Sequence, residues 1–208
     1  MAESIVIVAA KRTPMGSFQS DFANLSASDL GAVAIKAAVE QAGLKPEQVE
    51  QVYFGNVLMA GQGQAPARQA TLKAGLPKSS AAVTVHKVCG SAMQTIMMAA
   101  DTIKAGSADI LVAGGMESMT NAPYLLKKAR GGYRIGHDKV YDHMMLDGLE
   151  DAYEEGRSMG TFGEECAEKY NFTREQQDAF AMASVQRAQD AIAAGAFKDE
   201  IVPVTVAD

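Results

Sequence analysis

Cysteine is scarce in this sequence: Cys89 and Cys166 are the only two in 208 residues. Two are too few for a disulfide framework, which points to a reducing compartment. Basic residues are also in short supply. There are 19 Lys+Arg against 25 Asp+Glu, for a formal charge of -6. Nucleic-acid phosphates require a basic face, so no nucleic-acid partner is expected. A mild acidic balance is read as a solubility feature. Long apolar runs are missing, and nothing approaches the roughly 20 apolar residues of a spanning helix. The opening run, Ile5 to Ala10, is followed by Lys11 and Arg12, whereas a signal peptide places its basic residues first. The expectation is a soluble, cytoplasmic protein with no membrane partner. What remains is an ordinary globular balance, 48% apolar and 21% charged, in a chain long enough to bury a sizeable core.

Strand and helix signals alternate along the first half. Ile5-Val6-Ile7-Val8 is a β-branched run that reads as a strand buried on both faces. Ser26 with Asp29 three residues on resembles a capping box. The helix behind it carries Leu30, Val33, Ala34, Ala37 and Ala38 at helical spacing and ends at Gly43 and Pro46. Val49 to Leu58 reads as a strand with Val52, Phe54 and Val57 in the core. Gly61 to Ala65 is a loop, and Pro66 suits the first turn of a helix running to about Ala74. Ala82 to His86 is a short strand. Gly90 to Ala105 is a helix with Met93, Ile96, Met97, Ala100 and Ile103 on one face. Asp109 to Ala113 is a strand closed by Gly114-Gly115. Such alternation predicts a layered α/β fold around a mixed, largely parallel sheet.

After Ser118 the pattern changes. Met119 to Gly148 is irregular and too long for a simple connection, which suggests a functional loop or an oligomer contact. Helical signals resume after Leu149. Thr173 with Gln176 forms a second capping box, and Ala181, Val185, Ala188 and Ile192 are the expected buried positions behind it. Gly195 ends that helix, and Ile201 to Val204 is a last extended segment.

The sharpest chemical feature is Val85-His86-Lys87-Val88-Cys89-Gly90-Ser91-Ala92. It sets a cysteine between a short strand and the start of an amphipathic helix. Unpaired N–H groups and the positive end of the helix dipole gather at such a junction and favour a thiolate, the nucleophilic form. Gly90 allows close approach to the backbone. The same pattern also fits a buried cysteine acting as a small hydrophobe. Gly114-Gly115 ends a strand, where open α/β sheets place ligand contacts, but the pair by itself reads better as a tight turn.

His86-Lys87-Val88-Cys89-Gly90-Ser91 resembles the acylation motif of the thiolase family. Gly114 to Tyr124, Gln62 to Ala70, Arg12-Thr13-Pro14 and Lys198 to Val204 are similar to further thiolase signatures, in the family's order along essentially the whole chain. The flanks of Cys89 differ from those of ketoacyl synthases, which share the folding plan. The resemblance implies acyl transfer between CoA thioesters, in the manner of an acetyl-CoA acetyltransferase or 3-ketoacyl-CoA thiolase, with Cys89 as the acylated nucleophile. Acetyl-CoA or other acyl-CoA molecules and free CoA are then substrates, and neither a metal nor a separate cofactor is implied. Residues 1–118 correspond to the nucleophile-bearing domain and 119–208 to part of the loop domain, whose Leu149 and Met159 would line the acyl-CoA channel. Ser158 stands where some relatives have histidine, at a position facing the pantetheine. Arg130 to His143 resembles the family's tetramer-forming loop, implying a homo-oligomer, a dimer or a tetramer.

The family's second half carries a Gly-His-Pro histidine, an Asn-Glu oxyanion segment and a Cys-x-Gly cysteine, and this sequence contains none of them. His86 lies three residues before Cys89 on a strand, so it is expected to face the opposite side. His137 and His143 are expected to be exposed, and Cys166 to be a packed thiol inside a helix. Ala92 replaces a glycine frequent in the family. Two readings follow: half of a thiolase, or a non-catalytic half that folds alone and binds a partner.

Overall fold

A computed structural model describes residues 4–206. Met1–Glu3 and Ala207–Asp208, the outer ends of the two expected domains, lie outside the described residues.

Helix α1 (Ala27–Gln41) begins where the capping box predicts. Ser26 N–H donates to Asp29 Oδ2 at 2.9 Å, and Asp29 N–H donates back to Ser26 Oγ at 3.2 Å. Strand β1 (Gln51–Gly55) follows, then α2 (Pro66–Lys73), β2 (Ala81–Val85), α3 (Ser91–Lys104) and β3 (Leu111–Gly115). Pro66 occupies the first turn of α2, where its missing N–H has no intrahelical partner to lose. The sheet order is β2-β1-β3 and both pairings are parallel, with Val52 opposite Ala82 and Val112. Helical crossovers are what parallel neighbours require.

The strand period sorts the two sheet faces. Val52 and Phe54 of β1 point toward α1 and α2, and with Ile35, Val39, Val49, Ala67, Ala70, Leu76 and Met116 they form the core. Gly31 brings α1 close to the sheet: a Cβ there would lie 2.6 Å from Met116 Sδ and 3.1 Å from Phe54 Cε1. Tyr53 and Gly55 point toward α3, where the Tyr53 hydroxyl meets Thr102 Oγ1 at 3.0 Å. The result is three layers: two helices, the sheet and one helix.

Several expected faces are corrected. On α1 the buried stripe is Ser28, Gly31, Ala32, Ile35 and Val39, while Leu30, Val33, Ala34, Ala37 and Ala38 are only half-buried beside it. On α3 the buried stripe is Ser91, Thr95 and Ala99, small residues that let the helix sit low on the sheet. Its Met93, Ile96 and Met97 face outward, Met93 being 69% exposed. Ile5–Val8 joins no described strand, and Val6, Ile7 and Val8 are all exposed, so the run that reads as doubly buried is not.

Beyond β3 the chain makes a two-stranded antiparallel pair, β4 (Tyr124–Leu125) with β5 (Tyr141–Asp142). A π-helical turn covers Met145–Leu149, followed by α4 (Met159–Lys169) and α5 (Arg174–Ala193). The second capping box forms at Thr173 and Gln176. Neither α4 nor α5 has a buried residue. Ala181, Val185, Ala188 and Ile192 are exposed, and so is Cys166 on α4, contrary to the packed positions expected of them. Amphipathic spacing marks a face that can be buried, but a neighbour must be present to bury it. The end of the chain returns to the beginning: Ile201 bridges Arg12 in parallel, and Arg12 pairs with Glu200 at 2.8 Å. Among the described residues no helix is long and apolar enough to cross a membrane.

Candidate active site

Five residues, 86–90, join the end of β2 to the start of α3. The turn is tight. Gly90 N–H donates to Lys87 O and Ser91 N–H to Val88 O, both at 3.1 Å. Val88 takes φ +46°, a left-handed conformation that a β-branched residue adopts only under strain, of order 1–3 kcal/mol. The Ser91 side chain braces it by accepting from Lys87 N–H at 2.8 Å and donating to Val88 O at 2.6 Å. Val88 N–H donates to His86 Nδ1 at 3.3 Å. Cys89 is thereby held solvent-exposed at the tip of the turn, one residue before the cap of α3. Lys87 Nζ is held by Gln94 Oε1 at 2.8 Å.

Two glycines set the height of this turn above the sheet. A Cβ on Gly55 would lie 2.7 Å from Ser91 Cβ and 3.0 Å from Ala92 N, and one on Gly115 would lie 3.1 Å from Ala92 Cβ. Side chains at either position would lift the first turn of α3. Thr95 Oγ1 fixes the next turn by donating to Gly114 O at 3.1 Å. Cys89 therefore stands at the carboxyl end of a parallel sheet, the usual place for chemistry in open α/β folds. Gly114-Gly115 proves to be part of strand β3 and a seat for α3 rather than a turn after the strand.

Sequence reasoning missed a carboxylate beside this edge. Glu117 accepts from Asn56 Nδ2 at 2.8 Å, Val57 N–H at 2.8 Å and Leu58 N–H at 3.1 Å. It ties the ends of β1 and β3 together and fixes the start of the 57–62 loop. The signals in the sequence were its place two residues beyond the end of β3 and within the Gly114 to Tyr124 signature.

His143 departs from its expected exposure. It is 6% exposed rather than open to solvent. Nδ1 lies 2.6 Å from Asp147 Oδ2, and Nε2 accepts from Ala60 N–H at 3.3 Å. The imidazole fills the gap between the 57–62 loop and the π turn, two segments far apart in sequence. His137 is exposed, and so is His86.

Leu149, Ser158 and Met159 fall into one group. An antiparallel bridge between Glu150 and Ser158 sets Leu149 and Met159 across from each other on the same side of it. Ser158 is the cap residue of α4, half-buried, and Met159 is exposed. Among the described residues, no hydrogen bond joins this group to the Cys89 turn, and none reaches Cys89 Sγ. Nor is there a grouping of three or more His, Cys, Asp or Glu residues able to hold a metal ion. The arrangement presents an open thiol at a helix mouth. Among the described residues no side chain is hydrogen-bonded to that thiol.

Residues 5–208 match the family model described as Thiolase, N-terminal domain. The chain is 51% identical to an acetyl-CoA acetyltransferase of Cupriavidus necator over 202 residues, which is 97% of this chain and 51% of that protein. It is 52% identical to acetyl-CoA acetyltransferase 2 of Arabidopsis thaliana, again over 97% of this chain and 50% of that one. Among solved structures it resembles the Acat5 thiolase of Ascaris suum in complex with coenzyme A, with a TM-score of 0.90 and 44% identity over 95% of this chain and 51% of that one. The chain thus spans about half the length of the curated relatives it matches. On the family match, the identities and the shared fold together, the chain belongs to the thiolase family.

Proposed function

We propose that the protein carrying this chain is an acetyl-CoA acetyltransferase that works through an acyl-cysteine at Cys89. The thiolate sulfur attacks the carbonyl carbon of an acyl-CoA. A new C–S bond forms, the old thioester bond breaks, and CoA leaves as a thiolate that takes up a proton. A second acyl-CoA, deprotonated at its α-carbon, then attacks the acyl-cysteine. A C–C bond forms and Cys89 is released. In the degradative direction, as in fatty acid breakdown, Cys89 attacks the 3-keto carbon of a 3-ketoacyl-CoA, the C2–C3 bond breaks and the departing acetyl-CoA carbanion takes up a proton, and free CoA then takes the acyl group from Cys89. Dividing one difficult step into two easier ones is the advantage of the covalent route.

The observation that carries the reading is the exposed Cys89, held on a strained turn that Ser91 braces above Gly55 and Gly115. The names of the relatives support the acetyl group as the unit transferred. On this reading residues 1–118 are the nucleophile-bearing domain and 119–208 belong to a loop domain. Leu149, Ser158 and Met159 face the CoA thioester. Acetyl-CoA, acyl-CoA and CoA are the only small-molecule partners, with no resident cofactor. The protein is cytoplasmic and forms a dimer or tetramer through the 130–143 excursion.

The base and the oxyanion donors must come from the length these relatives have and this chain does not cover. The 208 residues alone are therefore expected to show little thiolysis of acetoacetyl-CoA. In the longer protein, mass spectrometry after incubation with acetyl-CoA should find acetyl on the Cys89 peptide and none in the Cys89→Ala variant. An unmodified Cys89 under turnover would overturn the mechanism.

A second reading, a non-catalytic half that acts as a binding module, is favoured by the outward apolar residues of α3 and by a thiol with no hydrogen-bond partner among the described residues. The reading frame beyond Asp208 separates the two. A continuation with Gly-His-Pro and Cys-x-Gly supports the enzyme, and a stop codon supports the module.

A further inference from the structure

We infer that His143 and Asp147 are positioning residues that hold the π turn, and with it Leu149, in the orientation that receives a CoA thioester. The inference rests on the thiolase reading of Leu149. A buried imidazole is costly unless both nitrogens are satisfied. Here both are, by segments more than eighty residues apart, since |i−j| is 83 for the Ala60 contact. Because Ala60 N–H donates to Nε2, the ring proton sits on Nδ1 and is donated to Asp147 Oδ2 at 2.6 Å. Asp147 lies inside the π turn, two residues before Leu149. The neighbouring Gly148 rests on the same loop: a Cβ there would lie 3.3 Å from Leu58 Cδ2.

That loop is itself fixed. Glu117 holds Val57 and Leu58 by their N–H groups, and Gln62 Nε2 donates to Leu58 O at 2.8 Å. On the other side, His143 N–H donates to Pro123 O at 3.1 Å, and Glu150 N–H closes the turn on Met145 O at 2.8 Å. A continuous path of hydrogen bonds and packing therefore runs from the carboxyl end of β3, through the 57–62 loop and the imidazole, to Leu149. π turns are rare and are frequently found at functional sites. This one is clamped at both ends. Removing the imidazole would free the turn to relax into an ordinary α-helical or irregular path, rotating Leu149.

The test uses the 208-residue chain and the full-length protein, with methyl-labelled leucine and coenzyme A as the probe. In the free chain, His143→Ala should shift the Leu149 methyl resonances, while His143→Gln, which keeps an acceptor for Ala60, should return them close to their original place. In the full-length protein, coenzyme A should move the Leu149 methyls, and His143→Ala should weaken that binding about tenfold, with His143→Gln recovering most of it. The milder Asp147→Asn variant checks the same clamp if the alanine variant fails to fold. It should weaken coenzyme A binding a few-fold. If coenzyme A leaves Leu149 unmoved in the unsubstituted full-length protein, the channel assignment falls and this inference falls with it. If coenzyme A binds the unsubstituted, His143→Ala and Asp147→Asn proteins equally, the assignment stands and this inference alone is overturned.

Discussion

Helices α1 and α5 start in the same way and end in different surroundings. Each opens with a reciprocal capping box, Ser26 with Asp29 and Thr173 with Gln176. Each carries apolar residues at helical spacing. Yet α1 buries Ile35 at 1% exposure, while on α5 Val185 and Ile192 stay 58% and 67% exposed. The cap satisfies N–H groups from within the segment, so it forms wherever the sequence places it. Burial needs a second surface. For α1 that surface is the sheet and α2. For α5 the described residues provide none.

Mutations can probe this contrast from both sides. Ile35→Ala should destabilise the chain by about 3 kcal/mol through lost burial and a cavity, whereas Ile192→Ala should change stability by no more than about 0.5 kcal/mol. Parallel urea titrations measure both, and equal effects would show that α5 has a partner in solution. Gly55→Ala should cost about 1–3 kcal/mol by overpacking, since its Cβ meets Ser91 Cβ at 2.7 Å. Because that contact lifts the Cys89 turn, the variant should also change the rate of Cys89 alkylation by iodoacetamide, leaving Cys166 on α4 unaffected. Peptide mass mapping reads both thiols in one experiment. Cys89 should react faster than Cys166 in the unsubstituted chain, although both are exposed.

The caps give the next smaller effect. Ser26→Ala should lower global stability by about 1 kcal/mol. Thr173→Ala should remove a similar amount of local helix stability, visible in amide exchange along α5 but not in the urea midpoint.

The smallest effect is on pH dependence. Partial burial pushes the Asp29 carboxyl up, but bonds from Lys73 and from the Ser26 hydroxyl and backbone outweigh it and leave it below the usual range. A carboxyl lowered in the folded state adds stability above its unfolded value, about 3.9, and loses it as pH falls through the folded value. Thermal midpoints should therefore drop slightly below about pH 4, and Asp29→Asn should flatten part of that slope.

Glu117 and the histidine clamp lay beyond the reach of the sequence pattern. Glu117 reaches Asn56, Val57 and Leu58 across about sixty positions, with |i−j| of 61, 60 and 59. His143 reaches Ala60 across 83. No local pattern records such pairings. The exposed thiol of Cys166 and the outward stripe of α3 were missed for a related reason: periodicity tells which residues share a face but not which face meets the sheet.

The alternation of strands and helices from α1 to β3, both capping boxes, the Pro66 helix start and the place of Cys89 between β2 and α3 were all legible in the amino-acid order. Each arises from hydrogen bonds and torsional preferences within a few residues. Three features emerged only on folding: which stripes are buried, the seating of α3 on Gly55 and Gly115, and the joining of two distant loops by His143. Burial and close approach depend on surfaces supplied by residues far along the chain, and those exist only once the chain has folded around them.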